Sequence, residues 1–132
     1  GGNAVCCAAG AETIRVIKQE DLVENSARMG VMLLSRLRSL QEMFPVIGDV
    51  RGLGLMVATE FSTPEHEADG KTAKAVWKAC LDDGLLLLTC GPYANVIRWI
   101  PPLIITQDQL DEAIGIYSGA LRKVLAASRA PS

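Results

Sequence analysis

Arg98 carries the clearest chemical signal in the sequence. It stands in the run Asn95-Val96-Ile97-Arg98-Trp99-Ile100, which has strand character. Alternation along a strand puts Val96 and Ile100 on the side of Arg98, with Ile97 and Trp99 on the other. Both faces are therefore apolar apart from one guanidinium. A charge against apolar surface is costly unless paired, and the planar fork of an arginine fits a carboxylate through two parallel hydrogen bonds. The pattern allows three uses: an internal ion pair with Asp49 or Glu60, a side chain that snorkels to the rim, or a seat for a ligand's carboxylate.

Other reactive residue types are less well arranged. The single histidine, His66, lies between Glu65 and Glu67 in a breaker-rich stretch from Ser62 to Gly70 and reads as a solvated loop residue. Cys6, Cys7, Cys80 and Cys90 lack metal-ligand spacing and read as small core residues, so no metal site is expected. Arg51-Gly52-Leu53-Gly54 resembles a phosphate loop, but it leads into a strand and lacks a third glycine, which favours close backbone packing. Gly1, Gly2 and Asn3 precede a helix and either face an anion with their amides or form a frayed terminus. Lys18, Lys71, Lys74, Lys78 and Lys123 fall among polar neighbours on predicted helices, unlike a desolvated nucleophile. No serine stands in a nucleophile elbow.

These residues have to be positioned by a single domain. The chain has 132 residues, 49% of them hydrophobic, enough for one packed core. With 13 basic residues against 15 acidic ones it lacks the basic patch that grips nucleic acid. No apolar run approaches the roughly 20 residues that span a bilayer, and a soluble cytoplasmic protein is expected.

The spacing predicts an unusually apolar first helix from about Asn3 to Gln19, one that needs cover all round. A second helix follows, with Asp21 and Glu24 as a capping box and a stripe of Val23, Ala27, Gly30, Leu34, Leu37 and Phe44. Val46 to Arg51 reads as a connection and Leu53 to Phe61 as a strand. A third helix spans about Lys71 to Asp83, with Gly84 ending it, and strands follow at Leu85 to Thr89 and Asn95 to Ile100. Thr106 and Gln109 mark the last helix by a capping box, with Ile105 and Leu110 as its staple and Tyr117 and Leu121 in its stripe. The expected fold is a small α+β domain, helices on one face of a short, largely antiparallel sheet. Residues 126–132 are expected as a disordered tail.

Three segments, GGNAVCCAA, VIGDVRGLGLMVATEF and GLLLLTCGPYANVIRWIPPLIITQDQLDEAI, together resemble the C-terminal small domain of class III aminotransferases of the ornithine and 4-aminobutyrate type. The third is most similar to the 4-aminobutyrate branch. The resemblance implies that Arg98 binds a substrate carboxylate. It also implies that Gly1, Gly2 and Asn3 lie near the phosphate of pyridoxal phosphate in a neighbouring subunit of a homodimer. Ala4 stands where the family usually has proline, which loosens the start of the first helix. Arg51 and its glycines match a structural turn. In such enzymes the lysine that bonds the cofactor lies in a preceding large domain. The resemblance thus implies amino acid and 2-oxo acid substrates for the intact enzyme, and no tight cofactor binding or activity in this chain alone. The alternative is a stand-alone binding or dimerisation module with the same fold.

Overall fold

In the computed structural model, which describes residues 2–129, two helices lead into a hairpin, a third helix, two more strands and a last helix. These are α1 (Ala4–Gln19), α2 (Leu22–Met43), β1 (Ile47–Leu53), β2 (Met56–Phe61), α3 (Gly70–Asp82), β3 (Leu88–Cys90), β4 (Val96–Trp99) and α4 (Gln107–Ser128). The four strands form one sheet in the order β1-β2-β4-β3, with every neighbouring pair antiparallel. Helices α2 and α3 pack on one face, and α4 lies against both of them. This is the expected α+β architecture, with one strand more than the periodicity revealed.

The added strand is β1. A bulge between Ile47 and Asp49 shifts the register, so the two inward residues Ile47 and Val50 are three apart instead of two. That break hides the strand from a search for alternation. Gly48 sits in the bulge, where an added Cβ would lie 2.2 Å from Ser62 Oγ. Leu53 and Met56 close the hairpin around Gly54 and Leu55, with Gly54 at φ +55°. The long strand expected from Leu53 to Phe61 is thus the turn and second arm of a hairpin.

Helix α2 does not form the expected capping box. Only Glu20 and Asp21 connect it to α1, and so short a reversal holds Asp21 in the left-handed region at φ 51°. An N-cap carboxylate reaches the first amides from extended backbone, and Asp21 makes no such bond. The buried face is also rotated from the expected stripe. It consists of Leu22, Met29, Gly30, Leu33, Leu37 and Leu40, while Val23 is 72% exposed. Gly30 is common to both stripes, and its Cα faces the backbone of the Gly54 turn so closely that no side chain fits between them.

Helix α3 ends in a Schellman motif, in which Gly84 (φ 86°) donates to Leu81 O and Leu85 donates to Cys80 O. The chain then drops Leu87 into the core. Its carbonyl accepts from Trp77 Nε1 at 2.8 Å instead of joining the ladder, so β3 starts at Leu88 and not at Leu85. Asn95 is buried beside β4 and exchanges hydrogen bonds with Phe61, through Nδ2 to the Phe61 carbonyl (3.0 Å) and from the Phe61 amide to its own carbonyl (2.8 Å).

The core centres on Phe61, Leu33, Leu37, Ile97, Leu110, Tyr117 and Leu121. Tyr117 is fully buried, meets Trp99 edge to face with ring centroids 5.0 Å apart, and shares a 2.7 Å hydroxyl hydrogen bond with Thr59. Burial drives the Tyr117 phenol far above its ordinary pKa, so it stays neutral and anchors α4 to the sheet. Cys80, in the same core, has its thiol pushed up to about 12 by burial and, second, by the charge of Asp83. Cys6 and Cys7 are exposed. Alkylation at pH 8 should therefore label Cys6 and Cys7 in the native protein and reach Cys80 only after denaturation, as read by peptide mass spectrometry.

Helix α4 has the capping box that the sequence announces. Thr106 Oγ1 accepts from the Gln109 amide at 3.3 Å, and Gln109 Oε1 accepts from the Thr106 amide at 3.1 Å. Thr106→Ala should cost about 1 kcal/mol in urea unfolding without altering the fold. The helix continues through Ser128 on the good helix formers Ala126 and Ala127, three residues into the expected tail, and residues 130–132 lie outside the described part. Among the described residues, no helix is long and apolar enough to cross a membrane.

Candidate functional site

Among the described residues, the second face of the sheet carries no helix. Pairing registers place Arg51, Ala58, Arg98 and Leu88 in one row across β1, β2, β4 and β3. The neighbouring row holds Asp49, Glu60, Val96 and Cys90. Around Arg98 the same face presents apolar side chains to solvent: Leu53 is 88% exposed, Met56 63%, Ile100 52% and Leu88 49%. Arg98 and these apolar side chains are exposed, so this is an open surface and not a closed cleft.

Arg98 itself is exposed and, among the described residues, has no ion pair or hydrogen-bond partner from its guanidinium. Its expected internal partners belong instead to Arg51, whose Nη1 lies 2.6 Å from Asp49 Oδ2 and 2.7 Å from Glu60 Oε2. Asp49 lies two residues from Arg51 on one strand, and Glu60 lies diagonally across the hairpin, so all three side chains share a face. The internal pair expected for Arg98 is thereby corrected. The acids stabilise the charged guanidinium of Arg51, Asp49 first and Glu60 second, and raise its pKa above the ordinary value. Arg51 is also more than the neighbour of a structural turn. Its role was legible as an Asp-x-Arg pair once Val46 to Arg51 is read as a strand.

The glycines beside it do work through packing. A Cβ on Gly52 would lie 2.4 Å from Met56 O and 2.7 Å from Val57 Cα, which accounts for the RGLG segment as a close backbone approach.

Gly2 and Asn3 are not brought to this face. They lie at the start of α1, which touches no strand and no helix other than α2. Gly2 adopts φ 89°, and Asn3 Oδ1 accepts from the amides of Val5 (3.0 Å) and Cys6 (3.2 Å). Asn3 thus supplies the start of α1 despite the alanine that follows it. Gly1 lies outside the described residues. No residue of α1 is buried, and only Val16 and Ile17 are half-covered, while Val5 is 77% and Ile14 56% exposed.

The described residues form no cradle for a phosphorylated pyridine cofactor. Asn3 spends its side chain on the helix cap, and Lys18, Lys71, Lys74, Lys78 and Lys123 are all exposed. His66 is exposed in its loop at φ 65°, and among the described residues no three His, Cys, Asp or Glu side chains converge as metal ligands. What the face offers chemically is one unpaired guanidinium on an open, partly apolar surface, suited to a carboxylate and in need of a second surface to exclude water.

The chain is 40% identical over 119 residues to the 4-aminobutyrate aminotransferase GabT of Escherichia coli (strain K12), covering 89% of this chain and 28% of that protein. It is 36% identical over 124 residues to an alanine/serine racemase of Pyrococcus horikoshii, covering 93% of this chain and 26% of the relative. The chain therefore spans less than a third of these proteins. The solved structure of an aminotransferase from Bacillus anthracis superposes with a TM-score of 0.85 at 32% identity, over 93% of this chain and 29% of that one. The family model described as aminotransferase class-III matches residues 1–121. By sequence and by fold, this chain belongs to the class III aminotransferases.

Proposed function

We infer that this chain is the C-terminal small-domain portion of a pyridoxal-phosphate-dependent aminotransferase. The intact enzyme moves an amino group from an ω-amino acid such as 4-aminobutyrate to 2-oxoglutarate. The observation that carries this reading is Arg98, exposed without an internal partner on a sheet face free of helices. In the assembled cytoplasmic homodimer a large domain covers that face, and Arg98 holds a carboxylate of 2-oxoglutarate or glutamate so that the reacting carbon is oriented before chemistry. Pyridoxal phosphate supplies the electron sink for the transfer, and the groups that bond it lie outside the described residues. Gly1, Gly2 and Asn3 approach its phosphate across the subunit interface. The chain alone is inactive.

A second reading has its own observation. Helix α1 buries no residue, and a stand-alone module that dimerises through it would cover Val5 and Ile14 without any catalysis. The intact mass of the native polypeptide carrying the NVIRWIPPL segment separates the two readings. A product three to four times longer, roughly the size of a multidomain chain, supports the enzyme, and one that begins near Gly1 supports the module.

A further inference from the structure

The start of β4 is set by a side chain. Antiparallel rungs that exchange two backbone hydrogen bonds recur at every second residue. Phe61 and Asn95 fall two places beyond the Thr59–Ile97 pair, at the end of that series. At this rung only one bond runs from backbone to backbone, from the Phe61 amide to the Asn95 carbonyl at 2.8 Å. The Phe61 carbonyl is met by Asn95 Nδ2 at 3.0 Å, in the place of the Asn95 amide. The chain reaches Asn95 from a turn closed by the Ala94 amide on the Gly91 carbonyl (3.1 Å), with Ala94 at φ 51°. An asparagine side chain carries the same kind of donor as the backbone, so it completes the rung that the turn leaves half made.

The same carbonyl also accepts from the Asp69 amide at 3.0 Å, and Asp69 Oδ1 caps α3 by accepting from the Thr72 amide at 2.9 Å. A Cβ on Gly70 would lie 2.4 Å from the Tyr93 carbonyl oxygen, so the turn before Asn95 rests on the first residue of α3. Strands β2 and β4 and helix α3 therefore meet at the Phe61 carbonyl. Asn95 is 4% exposed, and these contacts are made inside the domain whatever further chain packs against it. Arg98 stands three residues on, in a strand of four residues whose outer neighbour β3 has three. So short a strand has little length in which to recover from a loose first rung.

We propose that Asn95 is a positioning residue for Arg98: it fixes where β4 enters the sheet, and with that the point from which the guanidinium meets a substrate carboxylate. The inference rests on the carboxylate-binding reading of Arg98 and is independent of what Arg98 pairs with between substrates. Buried Ile97 and Trp99 keep the register when Asn95 is replaced, so Arg98 stays on its face and is displaced only slightly. Two parallel hydrogen bonds to one carboxylate make the site sensitive to such a displacement.

The test uses the holoenzyme and its 2-oxoglutarate kinetics, with glutarate as the binding probe. Asn95→Ala should raise the KM for 2-oxoglutarate and the glutarate dissociation constant together by roughly three- to tenfold, short of the ~100-fold that a full ångström of misplacement can cost. The change in kcat should be smaller, as for binding lost equally in the ground and transition states. On an Arg98→Ala background, Asn95→Ala should weaken glutarate binding by less than about twofold, because the residue through which it acts is gone. Should Asn95→Ala fail to fold, Asn95→Ser carries the same comparison, its hydroxyl being too short to reach the Phe61 carbonyl. Unchanged affinity in the single variant overturns the proposal. An equal loss on the Arg98→Ala background overturns it too, since that marks Asn95 as merely structural. If Arg98→Ala alone leaves glutarate binding intact, it is the carboxylate reading that has failed, and the role of Asn95 falls with it.

Discussion

Arg98→Ala is expected to weaken 2-oxoglutarate binding to the assembled enzyme by roughly 10- to 100-fold, the range for losing a hydrogen-bonded charge partner. The same substitution should move the unfolding midpoint hardly at all. Arg98 is exposed and holds no partner among the described residues, so removing it breaks no internal pair. The split between these two readouts is what distinguishes a ligand arginine from a structural one. Arg98→Lys should recover only part of the affinity, because an ammonium cannot reproduce the two parallel bonds of a guanidinium fork. Isothermal calorimetry with glutarate and urea unfolding of the same preparations check both halves. Lost stability with intact binding would mean that Arg98 serves the sheet and not a ligand.

Gly30→Ala should be the most damaging small substitution in the fold, costing about 2–3 kcal/mol by overpacking a site with no slack. A Cβ at Gly30 would lie 2.1 Å from the carbonyl oxygen of Gly54, 2.4 Å from its carbonyl carbon and 2.7 Å from its Cα. All three are backbone atoms of a tight turn, and that turn is tied to the same helix by a 3.3 Å hydrogen bond from the Leu55 amide to Ser26 Oγ. Neither partner can yield without separating α2 from the hairpin. Gly119→Ala provides the control. Gly119 lies on an exposed position of α4 with nothing within 4 Å of an added Cβ, so the change should stabilise by about 0.5–1 kcal/mol through helix propensity. Urea denaturation of the pair measures the difference. Equal effects would mean that the contact between α2 and the hairpin is not close-packed.

These two sites also mark how far the sequence could be read. Helix α4 was legible because its signals are local: Thr106, Gln109 and the spacing of Leu110, Tyr117 and Leu121 lie within one element. The end of α3 at Gly84 was legible for the same reason. The buried face of α2 was legible only in part: Gly30 and Leu37 lie on the expected stripe, but the close approach of Gly30 to Gly54 joins two different elements and no local spacing announces it. Strand β1 was hidden by its bulge. With β1 unread, Arg51 had no place on the sheet, and Asp49 and Glu60 looked available to Arg98. Arg98 itself stood out in the sequence because a lone charge in an alternating apolar strand is conspicuous wherever the strand lies. Its exposure was not legible, because that depends on which sheet face the helices cover.

The most direct test of the account is a crystal structure of the holoenzyme with glutarate bound. The account predicts one glutarate carboxylate against the Arg98 guanidinium with two parallel hydrogen bonds, Glu60 still on Arg51, and the helix-free face of the sheet covered by the rest of the protein. Glutarate bound elsewhere, with Arg98 paired to an acid of the protein or left in solvent, would contradict it.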